Sequence, residues 1–337
     1  MQRCRLEGGG LPETVIVKWL RDDGQDIRVD PRQVATEQAA LAFLSSIGFA
    51  AAPRLIAADR DAGVLVLEDL APRIPLADLI RSQGAVASTT ELMAFARLMG
   101  ELGAATVGKA AAYDAIRSRY GAPEPRAGRE RGLGPDWAAA LAQLDALGLT
   151  MSAAVERDLA SLVEALLNPG PFLAFSNGDP ETNNVLVDGA DGRLIDFEGA
   201  AFRHALTSAV WMHVPGPAWI TVTLAIGADL EAAYRQALAA GVAEAEDDRL
   251  FGFGMAAACL GQACDRLSRF PSLDRRPPGD ARIQMVSTLQ SAAAVARRHR
   301  SLPHLAGWVE GAAQWLRRRW PDADVDFSRY PPYTPRT

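Results

Sequence analysis

Ser176-Asn177-Gly178-Asp179-Pro180-Glu181-Thr182-Asn183-Asn184-Val185-Leu186-Val187, followed after a turn by Leu194-Ile195-Asp196-Phe197-Glu198-Gly199, is the stretch on which the fold turns. Phe172 to Phe175 reads as a strand leading into a polar loop. Asn184 to Val187 and Leu194 to Phe197 read as two more strands around a turn at Asp188 to Gly192. Two carboxylates and an amide, Asp179, Asn184 and Asp196, thereby fall at the ends of short apolar strands.

The flanking sequence has a different texture on each side. Upstream, Gly8-Gly9-Gly10 with Pro12 reads as a hairpin turn between a strand at about Arg3 to Leu6 and a second from Thr14 to Leu20. In the second strand Val15, Val17 and Trp19 alternate with Ile16, Lys18 and Leu20, so Lys18 interrupts a surface that is otherwise apolar. Asp30-Pro31, with Gln33 three positions after the Asp, marks a helix start, and the helix is expected over 31–47. Val34, Leu41 and Leu44 share one face of it, and Glu37 lies on that same face. Val64 to Leu67 is a short strand ending in Glu68-Asp69-Leu70, with Pro72 just beyond.

After that point the pattern is helical apart from the 172–199 section. Stripes recur at Leu92, Phe95, Met99 and Leu102 and at Val155, Leu159, Leu162 and Leu166, the second stopping at Asn168-Pro169-Gly170. A Gly, Pro and Arg rich loop spans 121–136, and further helices are expected at about 228–240, 247–268, 281–299 and 304–319. The chain therefore reads as α+β in two lobes: residues 1–70 with a small β-sheet and one main helix, and 71–320 mostly helical. A Pro-rich tail, 321–337, follows.

Composition excludes several classes. The 337 residues carry a formal net charge of −6, and the longest basic run, Arg317-Arg318-Arg319, sits in an expected helix, so nucleic acid is not an indicated partner. Cys4, Cys259 and Cys264 lack the paired spacing of a zinc site and are too few for a disulfide framework, which points to a reducing, cytoplasmic setting. No signal core follows Met1, and every long apolar run breaks well short of ~18 residues, so a membrane is not expected either.

Asp179, Asn184 and Asp196 are the groups that phosphoryl transfer to a hydroxyl requires: a carboxylate to orient the nucleophile and take its proton, and oxygen ligands for Mg²⁺. In the kinase arrangement the Asn follows the Asp by five positions and the second Asp precedes a Phe; Asn184 and Asp196-Phe197 meet both conditions. Alone, either fragment is weak. In order, on strand ends, with Lys18 and Glu37 upstream, they are specific. A lysine on an apolar strand face and a glutamate on an apolar helix face each lose hydration unless they meet a partner, so each is the other's natural candidate.

At these residues the sequence resembles the aminoglycoside-phosphotransferase superfamily, which includes choline, homoserine and fructosamine kinases. The resemblance runs over about residues 1–270 and is strongly diagnostic at 177–199. It implies a two-lobed protein-kinase-like fold and a small-molecule kinase. Asp179 would be the catalytic base, Asn184 and Asp196 the magnesium ligands, and Lys18, with Glu37, the contact to the phosphates of ATP or GTP. Glu68-Asp69-Leu70 would be the hinge beside the adenine, and the acceptor a hydroxyl of an aminoglycoside, amino-alcohol or sugar-like compound.

Two departures accompany it. Asn177 stands where the family usually has His before Gly-Asp. Lys18 comes so early that the family's first strand and glycine turn are missing, which implies either a start upstream of Met1 or an incomplete lid. Both leave a pseudokinase or nucleotide-binding module as an alternative, whereas a protein kinase is disfavoured because no Ala-Pro-Glu signature follows Asp196. Trp211, His213, Trp219 and Asp265 are candidates for an acceptor pocket, with packing, or for Asp265 an ion pair with Arg266 or Arg269, as the plainer reading. The sequence leaves the oligomeric state open.

Overall fold

The structure, a computed structural model, describes residues 1–8, 12–19, 32–121, 135–216 and 224–325. The Asp30-Pro31 cap, Gly9-Gly10, Trp219, most of the 121–136 loop and most of the tail lie outside them. Strands β1 (Gln2–Arg5), β2 (Thr14–Trp19), β3 (Leu55–Asp59) and β4 (Val64–Glu68) form an antiparallel sheet in the order β1-β2-β4-β3. Among the described residues the sheet ends at β1, with no strand outside it. Helix α1 (Arg32–Ser46) packs beside this sheet. Val34, Leu41 and Leu44 are buried, and so is Glu37, so the carboxylate does point where the apolar stripe points.

Past β4 the chain forms a short strand β5 (Ile74–Pro75) and helices α2 (Leu76–Ala87), α3 (Thr89–Thr106), α4 (Ala110–Tyr120), α5 (Pro135–Ala146) and α6 (Ala153–Leu167). The strand-rich section then follows: β6 (Leu173–Ser176), β7 (Val185–Asp188), β8 (Asp191–Leu194) and β9 (Ala201–His204). β7 and β8 make a hairpin with β5 on its edge, while β6 pairs with β9, Ser176 opposite Ala201 and Leu173 opposite His204. Helices α7 (Leu224–Ala239), α8 (Asp248–Leu267), α9 (Phe270–Asp274), α10 (Asp280–Arg298) and α11 (Pro303–Arg319) complete the larger part. The class is α+β.

The expected third strand of the diagnostic section is corrected. Its strand stops at Leu194, Ile195 N makes one more bond across the hairpin, to Asn184 O at 2.9 Å, and the chain then turns away at Asp196, which takes a left-handed backbone, φ 63°. The turn between β7 and β8 tightens accordingly to Gly189-Ala190, and the strand after the loop is β9, which a four-residue run did not announce.

An aromatic core ties α1 to the strands beneath the loop. The Phe43 ring lies 5.3 Å from Tyr113, 5.2 Å from Phe175 and 5.9 Å from Phe202, so α1, α4, β6 and β9 meet in one cluster. Such pairs add about 0.5–1.5 kcal/mol each beyond burial. Tyr113 Oη donates to Ala200 O at 3.2 Å, fixing the segment before β9.

His213 belongs to the core. Its Nε2 meets Glu231 Oε2 at 2.7 Å, and His299 and Arg298 reach the same carboxylate. Burial holds His213 below its ordinary pKa, so it is neutral at pH 7 and Arg298 supplies the opposing charge. Burial alone would raise the Glu231 carboxyl, but the hydrogen bonds from His213 and His299 outweigh it and hold the group at about 2. Because this pKa is depressed on folding, the stabilisation is full above the unfolded value and is lost as pH falls through the folded one. Glu231→Gln should therefore lower stability by about 2–3 kcal/mol at pH 7, with the gap to the parent closing between pH 4.5 and 2 in denaturant titrations.

Candidate active site

The loop after β6 is built around a contact between two glycines. Gly178, at φ 94°, packs its backbone so closely on Gly199 that a Cβ there would lie 2.1 Å from Gly199 O. Only glycine satisfies both conditions. Arg203, on β9, donates to Gly178 O at 3.5 Å and to Gly199 O at 3.2 Å, and Gly178 N donates to Ser176 Oγ at 3.1 Å. Asn177 is buried, and its Nδ2 donates to Asp179 O at 3.2 Å, so the amide at this position holds the loop from inside.

On that support Asp179 and Asn184 come together. Asn184 Nδ2 donates to Asp179 O and to Asp179 Oδ2, both at 2.9 Å, while Asn183 Nδ2 donates to Asn184 Oδ1 at 2.9 Å. Burial raises the Asp179 carboxyl above the usual range; the Asn184 hydrogen bond, Arg266 and Arg203 oppose the rise and Asp196 adds to it.

The second half of the site is a charge cluster. Lys18 Nζ lies 2.7 Å from Glu37 Oε2 and 3.3 Å from Glu198 Oε2, and it also bonds Asp196 Oδ1. Burial disfavours the ammonium, but Glu37 and Asp196 outweigh it and raise the Lys18 pKa, so the lysine is charged. Glu37 uses its other oxygen to accept from Phe197 N at 3.4 Å, which pins the peptide just after Asp196. Strand β2, helix α1 and the loop after β8 are thus joined at one ammonium group.

Oxygens of Glu37, Asp196 and Glu198 lie within 4.8 Å of one another. Three carboxylates around one ammonium leave a formal charge of −2, which suits a hard divalent cation with oxygen ligands. The donor set fits magnesium.

The predicted residues therefore divide. Lys18, Glu37 and Asp196 meet in one cluster, and Asp179 and Asn184 pair on the neighbouring loop. Glu68 and Asp69 are tied elsewhere by their side chains, Glu68 Oε2 to Arg54 Nε at 3.3 Å and Asp69 Oδ2 to Arg3 Nε at 2.7 Å. Leu70 is buried, its carbonyl accepting from Arg73 N at 3.2 Å. Asp265 pairs with Arg269 at 3.5 Å, and Cys259 and Cys264 are buried thiols whose pKa burial raises.

Three residues of the site had no assigned part in the sequence. Glu198, two positions past Asp196, joins the cluster because the chain turns away from the strand at Asp196. Arg203 depends on β9. Glu181 sits in the loop with its carboxyl against the backbone of Gly216. Burial pushes that carboxyl up to about 8, the charge of Asp179 adding to the effect and Arg266 opposing it.

Residues 11–251 match the model of the phosphotransferase enzyme family APH, and the chain belongs to that family. Its fold is α+β, a small antiparallel sheet followed by a mostly helical larger part. Similar solved structures include a choline/ethanolamine kinase family protein from Mesorhizobium loti, at 14% identity and TM-score 0.48, covering 88% of this chain and 86% of that one. Another is choline kinase LicA from Streptococcus pneumoniae, at 14% identity and TM-score 0.43, covering 87% and 94%. A third, choline kinase from Cryptosporidium parvum, has 12% identity and TM-score 0.42, covering 90% and 86%. A search of curated protein sequences finds none that matches. No helix among the described residues is long and apolar enough to cross a membrane.

Two outcomes follow from this geometry. Gly178→Ala should lower the melting temperature by several degrees, against a smaller loss for Gly189→Ala, whose Cβ would meet open space. Glu181, with a raised pKa, holds a proton in the folded chain between about pH 4.5 and 8 that the unfolded chain releases, so its contribution to stability falls as pH rises through that window. Glu181→Gln should raise the melting temperature by a few degrees at pH 8 and change it little at pH 4.5, read by differential scanning calorimetry.

Proposed function

We propose that the protein is a magnesium-dependent kinase that transfers the terminal phosphoryl group of ATP or GTP to a hydroxyl of a small molecule. The observation that carries this reading is the Lys18 ammonium, which draws Glu37 and Asp196 into one cluster beside the loop that pairs Asp179 with Asn184. A structural ion pair needs one carboxylate. Here three converge on a single lysine, next to a fourth held by an amide, and that excess of oxygen ligands is what nucleotide phosphates and their metal require.

In this reading Asp179 accepts a hydrogen bond from the acceptor hydroxyl, aligns its oxygen with the terminal phosphorus, and takes the proton as the new oxygen–phosphorus bond forms and the bond to the nucleoside diphosphate breaks. Its partly buried position brings its proton affinity nearer to that task. Asn184 fixes the carboxylate rotamer through Nδ2. Lys18 neutralises phosphate oxygens and is held in place by Glu37. Asp196 and Glu198 of the carboxylate cluster, with Glu37 beside them, are the residues that would hold magnesium, Asn184 being proposed as a further ligand from the neighbouring loop; the ion, when bound, would supply charge neutralisation on the phosphates. The Glu68-Asp69-Leu70 segment is proposed as the adenine-side hinge through its backbone.

Asn177 does not favour the catalytically silent alternative, since its amide holds Asp179 O from within. The test is thermal shift of the full chain with ATP or GTP, with and without Mg²⁺. The expected result is magnesium-dependent stabilisation of several degrees, lost in Asp196→Asn and kept in Asp179→Asn. Steady-state transfer in Asp179→Asn should fall at least a thousandfold. Full transfer by that variant would remove Asp179 as the base, and the absence of any nucleotide shift would remove the kinase reading.

A further inference from the structure

Beside Asp179 lies a cavity of about 390 Å³, walled by the loop residues 178–181, by β9 and the segment after it, and by α8. A second cavity of about 680 Å³ shares Asp265, Arg266 and Arg269 with it and continues toward α9 and α10. Their volumes fall in the range of small-molecule sites. The charges on these walls are unequal. Arg203, Arg266, Arg269, Arg275 and Arg276 line the two cavities, against three carboxylates, Asp179, Glu181 and Asp265, all counted as ionised. Asp179 is reserved for the hydroxyl in the reading above, and Asp265 already faces Arg269. Arg266 is buried, so its charge acts through a low dielectric, and it and Arg203 both pull on Asp179.

Among the described lining residues little suits a cation: Asp179 and Asp265 are engaged, and the Glu181 carboxyl, raised to about 8, holds its proton at pH 7. Among the described lining residues the one indole or phenyl ring is Trp211, and that ring is stacked on Phe95 at 4.4 Å, so one of its faces is already covered. An ammonium-binding site needs exposed ring faces or a carboxylate to spare.

We propose that the acceptor is an anionic polyol or hydroxy acid, with its hydroxyl at Asp179 and its carboxylate or phosphate at Arg266 and Arg269. The inference rests on the phosphotransfer reading and narrows it. Guanidinium groups suit both kinds of anion, because their planar donors match two oxygens at once.

The experiment uses the full chain with Mg-ATP and four probes: D-gluconate for the carboxylate, glycerol 3-phosphate for the phosphate, and choline and kanamycin as cations. ADP release should show kcat/KM for at least one acid ten times or more above either cation. Arg269→Gln, at a partly exposed position, should raise KM for that acid about tenfold with kcat within twofold, and Arg266→Gln should do so more strongly where it folds. Preference for choline or kanamycin would overturn the proposal, as would an unchanged KM in Arg269→Gln. Magnesium-dependent nucleotide stabilisation with neither acid turned over nor bound in titration calorimetry would sink the acceptor class alone. Loss of nucleotide binding as well would sink the phosphotransfer reading beneath it.

Discussion

The Lys18 ammonium is the point from which the rest of the site is laid out. It has been taken from water on an apolar strand, which is unfavourable unless opposite charge compensates. Glu37 provides the most deeply buried compensation and is itself supported by α1 on one side and by Phe197 N on the other. Because that glutamate bonds both the strand and the loop after β8, the small sheet and the catalytic strands are held in register by one buried carboxylate. The remaining carboxylates, Asp196 and Glu198, then face the same ammonium in excess of what neutrality needs.

Much of this was legible because each signal had a physical cause that acts locally. Lys18 and Glu37 stood out as charges within apolar periodicity, and they meet, Glu37 buried and Lys18 partly so. Asp179, Asn184 and Asp196 stood at apolar strand ends and sit at loops in the fold. The helices of the larger part agree closely, as with the last one, expected at 304–319 and observed at Pro303–Arg319, since proline and long amphipathic stripes mark such elements well. What the sequence concealed was set by tertiary approach. Strand β9 is four residues long and exists because β6 pairs with it. Glu198 reaches the cluster only through the left-handed turn at Asp196, and Glu181 has its carboxyl against a backbone, that of Gly216, thirty-five positions away.

Trp211 and His213 illustrate the same division. Both are polar aromatic residues near the catalytic loop in sequence, where a ligand role and a packing role are equally visible. Bonding to Glu231 assigns His213 to the interior, whereas Trp211 stacks one face on Phe95 and still lines the cavity beside Asp179. The polar face of the cavity comes from α8, whose Arg266 and Asp265 lie one turn before Arg269; of these the sequence singled out Asp265 as a pocket candidate but gave Arg266 only as its ion-pair partner.

The Gly178 and Gly199 contact carries a consequence for how this architecture can be altered. The two loops that hold the acid groups touch backbone to backbone, and Arg203 clamps a carbonyl of each. Neither loop can then be exchanged by itself for one of another shape, since the incoming chain would meet a neighbour fitted to the old one. The two loops are therefore constrained as a pair, and Lys18 and Glu37, which hold the second of them from outside, extend that constraint to β2 and α1.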